Sequence, residues 1–282
     1  MTQPSVIKQA VLTVKDLDRT VEFYEKVLGF KVIERTNEKA SISTDGETAL
    51  LVLEQRKDAT PRDPRTTGLY HIAFLLPHRS HLADIVNYFI QTRYPLQGAS
   101  DHHVSEALYL ADPEGNGIEI YIDRDPDNWI WQKDQVYMTT VALDIENLLQ
   151  EATETGWKGM PEKTIIGHIH LQVAELEETR EYYCDGLGFD LVLRYGGQAL
   201  FISKNKYHHH IGLNTWNSKG APAPEENTTG LKYFTIALLN DEAKQNVIKQ
   251  LEKISASFSE KDGRIITKDP SGIEIVLEVE ER

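Results

Sequence analysis

Alternating apolar and polar residues predict short strands, each of which leads into an amphipathic helix. In IHLQV (169–173), every second residue is apolar, which is the period of a strand with one buried face. In LDRTVEFYEKVLGF (17–30), apolar residues recur at helical spacing and the pattern ends at Gly29, a typical helix stop. Short alternating segments follow, separated by turns such as Asp45-Gly46. The basic unit is therefore a strand, a helix and three strands, or βαβββ.

This unit is predicted four times, because segments of the chain repeat in pairs. The paired segments are LDRTVEFYEKVLGFKV and LEETREYYCDGLGFDL, GLYHIAF and GLKYFTI, and DPEGNGIEIYI and DPSGIEIVL. They define modules at residues 5–66, 67–127, 164–223 and 226–281. Residues 1–127 and 164–282 thus contain two modules each, with an aromatic-rich connector at 128–163 that we expect to pack on the body. The predicted fold class is α+β.

Strand parity places three chemically active side chains on the face opposite the helices. In the strands that contain them, the flanking isoleucines take the helix-facing side and leave His71, Glu119 and His168 on the other side. A carboxylate between two isoleucines costs several kcal/mol to bury unless it is paired or bound to a metal. Two histidines and a glutamate facing one concavity therefore predict a metal site.

Composition and charge exclude several classes of partner. The chain has 282 residues and a formal net charge of −14, which argues against nucleic acid. No apolar run reaches the roughly 20 residues that span a bilayer, and the N-terminal sequence does not resemble a signal peptide. The one cysteine, Cys184, excludes an internal disulfide. We therefore expect a cytoplasmic protein without a membrane partner, while a homo-oligomer remains open.

The repeated modules resemble a known family. The opening pattern around FYEKVLGF and the closing DPEGNGIEIY are similar to those of the vicinal oxygen chelate superfamily, and the resemblance covers all four modules. This superfamily includes glyoxalase I, fosfomycin-resistance proteins and extradiol ring-cleaving dioxygenases. GASDHHVSEALYLADPEGNGIEIYIDR (98–124) and YHHHIGLNTW (207–216) are most similar to the bacterial catechol 2,3-dioxygenase group. The resemblance implies two incomplete, cup-like barrel sheets with the helices outside.

The resemblance also implies a set of metal ligands, two histidines and one glutamate. The positions that match the family's ligands are Gln9, His71, His168 and Tyr233 on first strands, and Glu119 and Glu274 on last strands. If modules pair as one with two and three with four, each cup lacks one histidine. If module two pairs with module three, His71, His168 and Glu119 come together. We take the second pairing as the leading hypothesis, and expect an ion pair or a solvated strand end for Glu274.

Further polar residues match those that surround the metal in extradiol enzymes. Tyr109 lies ten residues before Glu119, where these enzymes carry a tyrosine that hydrogen-bonds the substrate, and His102 or His103 matches a further polar neighbour. One of His208, His209 and His210 matches the acid-base histidine, and strand parity favours His210.

The function implied by the resemblance is cleavage of a small aromatic diol, a catechol, by dioxygen at Fe(II), or at Mn(II) or another divalent metal. Such an activity belongs to aromatic hydrocarbon catabolism. The alternatives are a metal-dependent isomerase or thiol transferase of the glyoxalase or fosfomycin-resistance type, and a metal-free protein that binds an aromatic ligand.

Overall fold

A computed structural model, which describes residues 6–280, contains the βαβββ unit four times. Module one comprises β1 (Ile7–Val14), α1 (Leu17–Glu22), β2 (Lys31–Arg35), β3 (Lys39–Ser43) and β4 (Ala49–Gln55). Module two comprises β5 (Gly68–Leu75), α2 (Arg79–Thr92), β6 (Gly98–Asp101), β7 (Ser105–Ala111) and β8 (Gly117–Asp123). The connector carries short elements, β9 (Trp131–Gln132), β10 (Gln135–Val136), β11 (Val141–Ala142) and α3 (Ile145–Leu149).

The second half of the chain repeats this order of elements. Module three comprises β12 (Ile165–Gln172), α4 (Leu176–Glu181), β13 (Asp190–Tyr195), β14 (Ala199–Ser203) and β15 (Ile211–Asn214). Module four comprises β16 (Gly230–Leu238), α5 (Asp241–Lys253), β17 (Phe258–Lys261), β18 (Arg264–Lys268) and β19 (Glu274–Val279). The helices of modules one and three each continue into a π-helical turn, Phe23–Val27 and Tyr182–Gly186.

The modules pair as two with three and one with four. The strands of modules two and three form a nine-stranded sheet in the order β11-β6-β7-β8-β5-β12-β15-β14-β13, in which β5 and β12 pair antiparallel. The strands of modules one and four form an eight-stranded sheet in the order β17-β18-β19-β16-β1-β4-β3-β2, with β1 and β16 antiparallel. The predicted α+β fold with two open, cup-like sheets is confirmed, and so is the pairing of module two with module three.

A β-bulge in the central pair of the nine-stranded sheet turns two neighbouring side chains toward the same face. His71 pairs with His170 and Leu69 pairs with Leu171, so Tyr70 is an extra residue. Tyr70 and His71 both lie on the concave side as a result, whereas Leu69 is buried on the other side. Bulges of this kind occur beside active sites because they redirect side chains.

The apolar faces of both sheets pack against the helices in one continuous core. Phe30, which follows the helical segment of module one, packs edge-on against Phe74 of β5 with ring centroids 5.0 Å apart. The connector packs on the body as expected, since Trp129 is buried and contacts Tyr207 of module three. Within residues 6–280, no helix combines the length and the apolar character needed to cross a membrane.

Candidate active site

Two histidines and a glutamate meet on the concave face of the nine-stranded sheet. His71, Glu119 and His168 lie on β5, β8 and β12, which are adjacent in the order β8-β5-β12. Glu119 Oε2 lies 3.0 Å from His71 Nε2 and 3.2 Å from His168 Nε2. All three residues are buried, and one ligand atom from each lies within 4.8 Å of the other two. The structure therefore brings together the three residues that the sequence assigned to a metal.

Small residues in neighbouring positions leave space around these three side chains. Ala73 pairs with Glu119 across one side of β5 and with His168 across the other, so only a methyl group lies between them. At Gly167, an added Cβ would collide with the Tyr121 hydroxyl. The glycine thereby allows the Tyr121 ring to pack 4.8 Å from the His168 ring. A bulkier residue at either position would move the side chains that face the cavity.

The donor set fits a divalent metal such as Fe(II). Burial lowers the pKa of His168 to about 4, which leaves the neutral imidazole that a metal requires. Burial raises the pKa of Glu119, but His168 and His71 outweigh this effect and hold the pKa well below its usual range. His71 Nε2 is buried and, despite its distance of 3.0 Å from Glu119, does not meet the geometry of a hydrogen bond. Two imidazoles and one carboxylate are the ligand types of the facial triad in non-haem iron sites.

A cavity of about 570 Å³ opens above the triad. Its lining includes all three triad residues together with Tyr109, His170 and His209. Ligand pockets commonly measure about 300–1,000 Å³ and combine apolar walls with a few convergent polar groups. The cavity therefore has the dimensions of a small-molecule site and places the triad at its wall.

Tyr109 and His102 form one hydrogen-bonded unit in this cavity. His102 Nδ1 lies 2.7 Å from the Thr139 carbonyl oxygen, which can only accept, so Nδ1 carries the proton. With the ring proton on Nδ1, Nε2 accepts from the Tyr109 hydroxyl at 2.6 Å. Burial, followed by the Glu119 charge, raises the pKa of Tyr109 well above its usual value, so it remains a neutral phenol. Its oxygen keeps lone pairs that can accept a hydrogen bond from a ligand hydroxyl. His103 lies outside the lining of this cavity and has a left-handed backbone with φ of 66°.

The structure separates the three consecutive histidines that the sequence could not distinguish. His209 lines the cavity, with its ring centroid 4.1 Å from that of His168. His210 does not line it and turns instead toward Ser203, whose Oγ lies 3.0 Å from His210 Nδ1. His208 is fully buried and hydrogen-bonds Asp123. Parity favoured His210, but these residues precede the strand Ile211–Asn214 and do not alternate as strand residues do.

His170 is a cavity residue to which the sequence assigned no role. It lines the cavity beside His71, and its Nε2 atom is buried without a hydrogen-bond partner among the described residues. Burial, followed by the neighbouring histidines, lowers its pKa well below the usual value, so the ring is neutral. Its ring lies over Gly212, where an added Cβ would be 2.8 Å from it. The signal in the sequence was its position two residues after His168 on the same face.

The equivalent positions of the eight-stranded sheet carry none of these ligands. Register places Gln9 at the position of His168 and Tyr233 at that of His71. Glu274 was assigned the position of Glu119, and the register shows that this is wrong. Glu274 pairs with Tyr233, whereas Val276 pairs with Thr235 as Glu119 pairs with Ala73.

The cause is a difference of two residues between the turns DPEGNG and DPSG. Asp112 and Asp269 begin matching turns, so Ile273 takes the place of Asn116. Alignment by the shared letters GIE therefore shifts the last strand by two positions. Glu274 is partly exposed and lies 3.7 Å from Lys268 Nζ, in agreement with the expected ion pair.

Known proteins match both halves of the chain. The family model described as Glyoxalase/Bleomycin resistance protein/Dioxygenase superfamily matches residues 6–120 and 165–277. Over 267 residues, the chain is 43% identical to catechol-2,3-dioxygenase from Bacillus subtilis, a match that covers 94% of this chain and 93% of that protein. It is 30% identical over 132 residues to biphenyl-2,3-diol 1,2-dioxygenase 3 from Rhodococcus globerulus, covering 44% of this chain and 66% of that protein.

Among solved structures, glyoxalase I from Zea mays has a similar fold. It matches with a TM-score of 0.58 and 14% identity, over 96% of this chain and 91% of that one. At this identity the likeness concerns the fold alone. Together with the family model and the relative that matches along nearly the whole length, it shows that the chain belongs to the glyoxalase/bleomycin resistance protein/dioxygenase superfamily.

Proposed function

We propose that the protein is an extradiol dioxygenase that uses Fe(II) to cleave the ring of a catechol with dioxygen. The observation that carries the proposal is the buried group of His71, Glu119 and His168 at the wall of a cavity that also contains Tyr109 and His209. The 43% sequence identity with catechol-2,3-dioxygenase from Bacillus subtilis, over 94% of this chain, supports the same reaction. Glyoxalase-type and thiol transferase enzymes do not need the tyrosine or the histidine cluster.

In this proposal His71, Glu119 and His168 would hold the metal at the wall of the cavity. His71 and His168 would contribute imidazole nitrogens, and Glu119 would contribute a carboxylate that balances part of the metal charge. When bound, Fe(II) supplies the redox chemistry that couples an electron-rich catechol to dioxygen. The remaining steps depend on groups of the chain itself, which orient the catechol, move its proton and exclude water.

His209 is the residue that we assign to proton transfer, in place of His210. Its ring lies on the cavity wall beside His168, whereas the His210 ring is engaged with Ser203. Burial, followed by the charges of its histidine neighbours, lowers the pKa of His209 well below its usual value, so the ring enters the reaction neutral. A neutral imidazole can accept a proton from a catechol hydroxyl and return it after the ring has opened.

Tyr109 is assigned to orienting the catechol. Because its own proton is donated to His102, its oxygen acts as an acceptor for a catechol hydroxyl. His102, held by the Thr139 carbonyl, fixes the direction of this interaction. The aromatic rings of Tyr70 and Trp216, 5.2 Å apart, form an apolar wall for the substrate ring.

The test is to purify the full chain anaerobically, measure bound metal, reconstitute with Fe(II) and add catechols under oxygen. Oxygen uptake with a yellow ring-opened product is expected for the wild type, and loss of both iron and uptake for His71→Ala. His78→Ala, at the start of α2, is the matched control. Tight metal without uptake across a panel of catechols would favour an isomerase or thiol transferase. Absence of both metal and turnover, with His71→Ala like wild type, would favour a metal-free binding protein.

The proposal includes a cytoplasmic location, which suits a chain whose single cysteine, Cys184, is a free thiol. Fractionation of cells that produce the full chain tests this point.

A further inference from the structure

Behind His209 lies a chain of hydrogen bonds that crosses from module three to module two. His208 Nδ1 lies 2.7 Å from His209 Nδ1, and His208 Nε2 lies 2.9 Å from Asp123 Oδ1. Asp123 is the last residue of β8, four positions after Glu119. This series of hydrogen bonds therefore exists only because modules two and three share a sheet. The Asp123 side chain is 19% exposed, whereas that of His208 is completely buried.

The donors and acceptors in this series favour one arrangement of the ring protons. The Asp123 carboxylate oxygen can only accept, so His208 Nε2 carries the proton of this hydrogen bond. When the His208 ring carries this one proton, His208 Nδ1 is the acceptor of the 2.7 Å contact and His209 Nδ1 is its donor. His209 Nε2 is left without a proton, as the ring nitrogen that His208 does not engage. This is the tautomer that a general base needs.

The surroundings hold His208 in this orientation. Its ring packs 4.1 Å from the Tyr207 ring and 5.1 Å from the Trp129 ring, measured between centroids. The Tyr207 hydroxyl also donates to Asp123 Oδ1 at 3.1 Å, and the Tyr121 hydroxyl lies 2.7 Å from that of Tyr207. A buried polar group without a partner would cost about 1–3 kcal/mol, and here both ring nitrogens of His208 and the Tyr207 hydroxyl have one.

We propose that Asp123 and His208 are positioning residues that hold His209 in the Nδ1-protonated tautomer, with Nε2 free to act on the substrate. The proposal rests on the assignment of His209 as the proton-transfer residue. In serine hydrolases an aspartate orients a histidine in the same manner, and loss of that carboxylate leaves the wrong tautomer. In this protein a second histidine extends the reach of the carboxylate across the module boundary.

The first test reads the tautomers directly and does not depend on activity. Two-bond proton–nitrogen spectra are recorded on the full chain with ¹⁵N-labelled histidine rings and Zn(II) as a diamagnetic metal. His209 is expected to be protonated at Nδ1 and His208 at Nε2, and Asp123→Asn is expected to reduce the Nδ1-protonated form of His209. If wild-type His209 carries its proton on Nε2, the proposal is overturned.

The second test separates positioning from packing. Asp123→Asn is expected to lower kcat for oxygen uptake by about 10- to 100-fold, at or below the lower end of the roughly 100- to 10,000-fold that general acid–base catalysis contributes. KM and iron content should stay within about 3-fold. Tyr207→Phe removes the other hydrogen bond to Asp123 but keeps the ring beside His208, and should stay within about 3-fold in kcat. Equal losses in the two variants, or full activity of Asp123→Asn, would contradict the proposal.

The two tests also distinguish this proposal from the proposed function. If the wild type oxidises no catechol while its histidines have the expected tautomers, the positioning chain stands and the dioxygenase assignment fails. If the wild type is active but His209 has the opposite tautomer, the dioxygenase assignment stands and the positioning chain fails. His208→Phe, which preserves the ring packing, serves as a second variant in both tests.

Discussion

The nine-stranded and eight-stranded sheets share one topology and differ in the side chains on their concave faces. At four equivalent positions, the first carries His71, Ala73, Glu119 and His168, and the second carries Tyr233, Thr235, Val276 and Gln9. The same strand order and the same central bulges form in both. The fold therefore does not depend on the ligand residues, and the candidate site is an addition to a scaffold that forms without it.

The second sheet uses its equivalent positions for structural contacts. Gln9 occupies the position that is equivalent to His168. Its Nε2 atom donates to the Ala49 carbonyl oxygen at 2.9 Å, whereas His168 faces the cavity. Val276, at the position equivalent to Glu119, is a buried apolar side chain, so this sheet has no buried carboxylate there that would need a metal or a cation. Within residues 6–280, the group of His71, Glu119 and His168 is the one cluster of its kind with metal-binding geometry.

The largest effect is expected from removing the carboxylate of the triad. Glu119→Gln should lower Fe(II) affinity and oxygen uptake by more than about 100-fold, the upper end of losses caused by changing groups outside the ligand shell. Glu274→Gln in the other sheet is the control and should keep wild-type iron content, because it lies outside the site. Elemental analysis and oxygen electrode measurements decide, and equal iron content in both variants would refute the triad.

A second change exchanges a residue between the two sheets. Ala73→Thr introduces the side chain found at Thr235 between Glu119 and His168, where we expect it to reduce Fe(II) affinity by about 10-fold. The reverse change, Thr235→Ala, should leave iron binding unaltered. Metal titrations of the two variants give the answer. If Ala73→Thr bound Fe(II) as tightly as the wild type does, the space beside Ala73 would not be needed for metal binding.

A third change tests the histidine whose nitrogen lacks a partner. His170→Val introduces the residue that occupies the equivalent position, Val11, in the other sheet. Loss of one hydrogen bond to a ligand costs about 1–3 kcal/mol, so KM should rise about 10-fold while iron content stays constant. His78→Val on the surface is the control. If His170→Val has a wild-type KM, His170 does not contact the substrate.

A fourth comparison concerns the matching turns of the two halves. The Tyr24 hydroxyl donates to Asp112 at 3.3 Å and the Tyr183 hydroxyl donates to Asp269 at 3.2 Å. Burial raises the pKa of each carboxyl from 3.8 to about 6. Between these values the folded protein keeps a proton that the unfolded chain has lost, so each group reduces stability as the pH rises from about 4 to 6.

Asp269→Asn should remove this dependence. The free energy of unfolding of wild type minus that of the variant should fall across this window by on the order of 3 kcal/mol and then stay level above about pH 6. Asp112→Asn should give the same slope, and Asp134→Asn, in the exposed part of the connector, is the surface control. Urea unfolding at several pH values measures all three. A rise with pH would contradict the assigned direction.

Much of the fold was predictable because its signals are local. Apolar periodicity, the glycine after each short helix and the repeated segments identified the βαβββ unit and its number of copies. Parity correctly separated Ile169 and Leu171, which are buried in the core, from His168 and His170, which line the cavity. Parity failed at His208–His210, where the backbone is irregular, and the shared letters GIE misplaced Glu274, because turn length sets strand register.

The sequence by itself determined the repeating unit, the faces of its strands and the candidate ligands, since each depends on residues close together in the chain. Only the tertiary structure decided that module two meets module three, which places His71 and His168 on neighbouring strands. It also decided that His209 faces the cavity and that Asp123 reaches His208 across the module boundary. These contacts join residues far apart in sequence, and strand pairing, bulges and loop conformation bring them together.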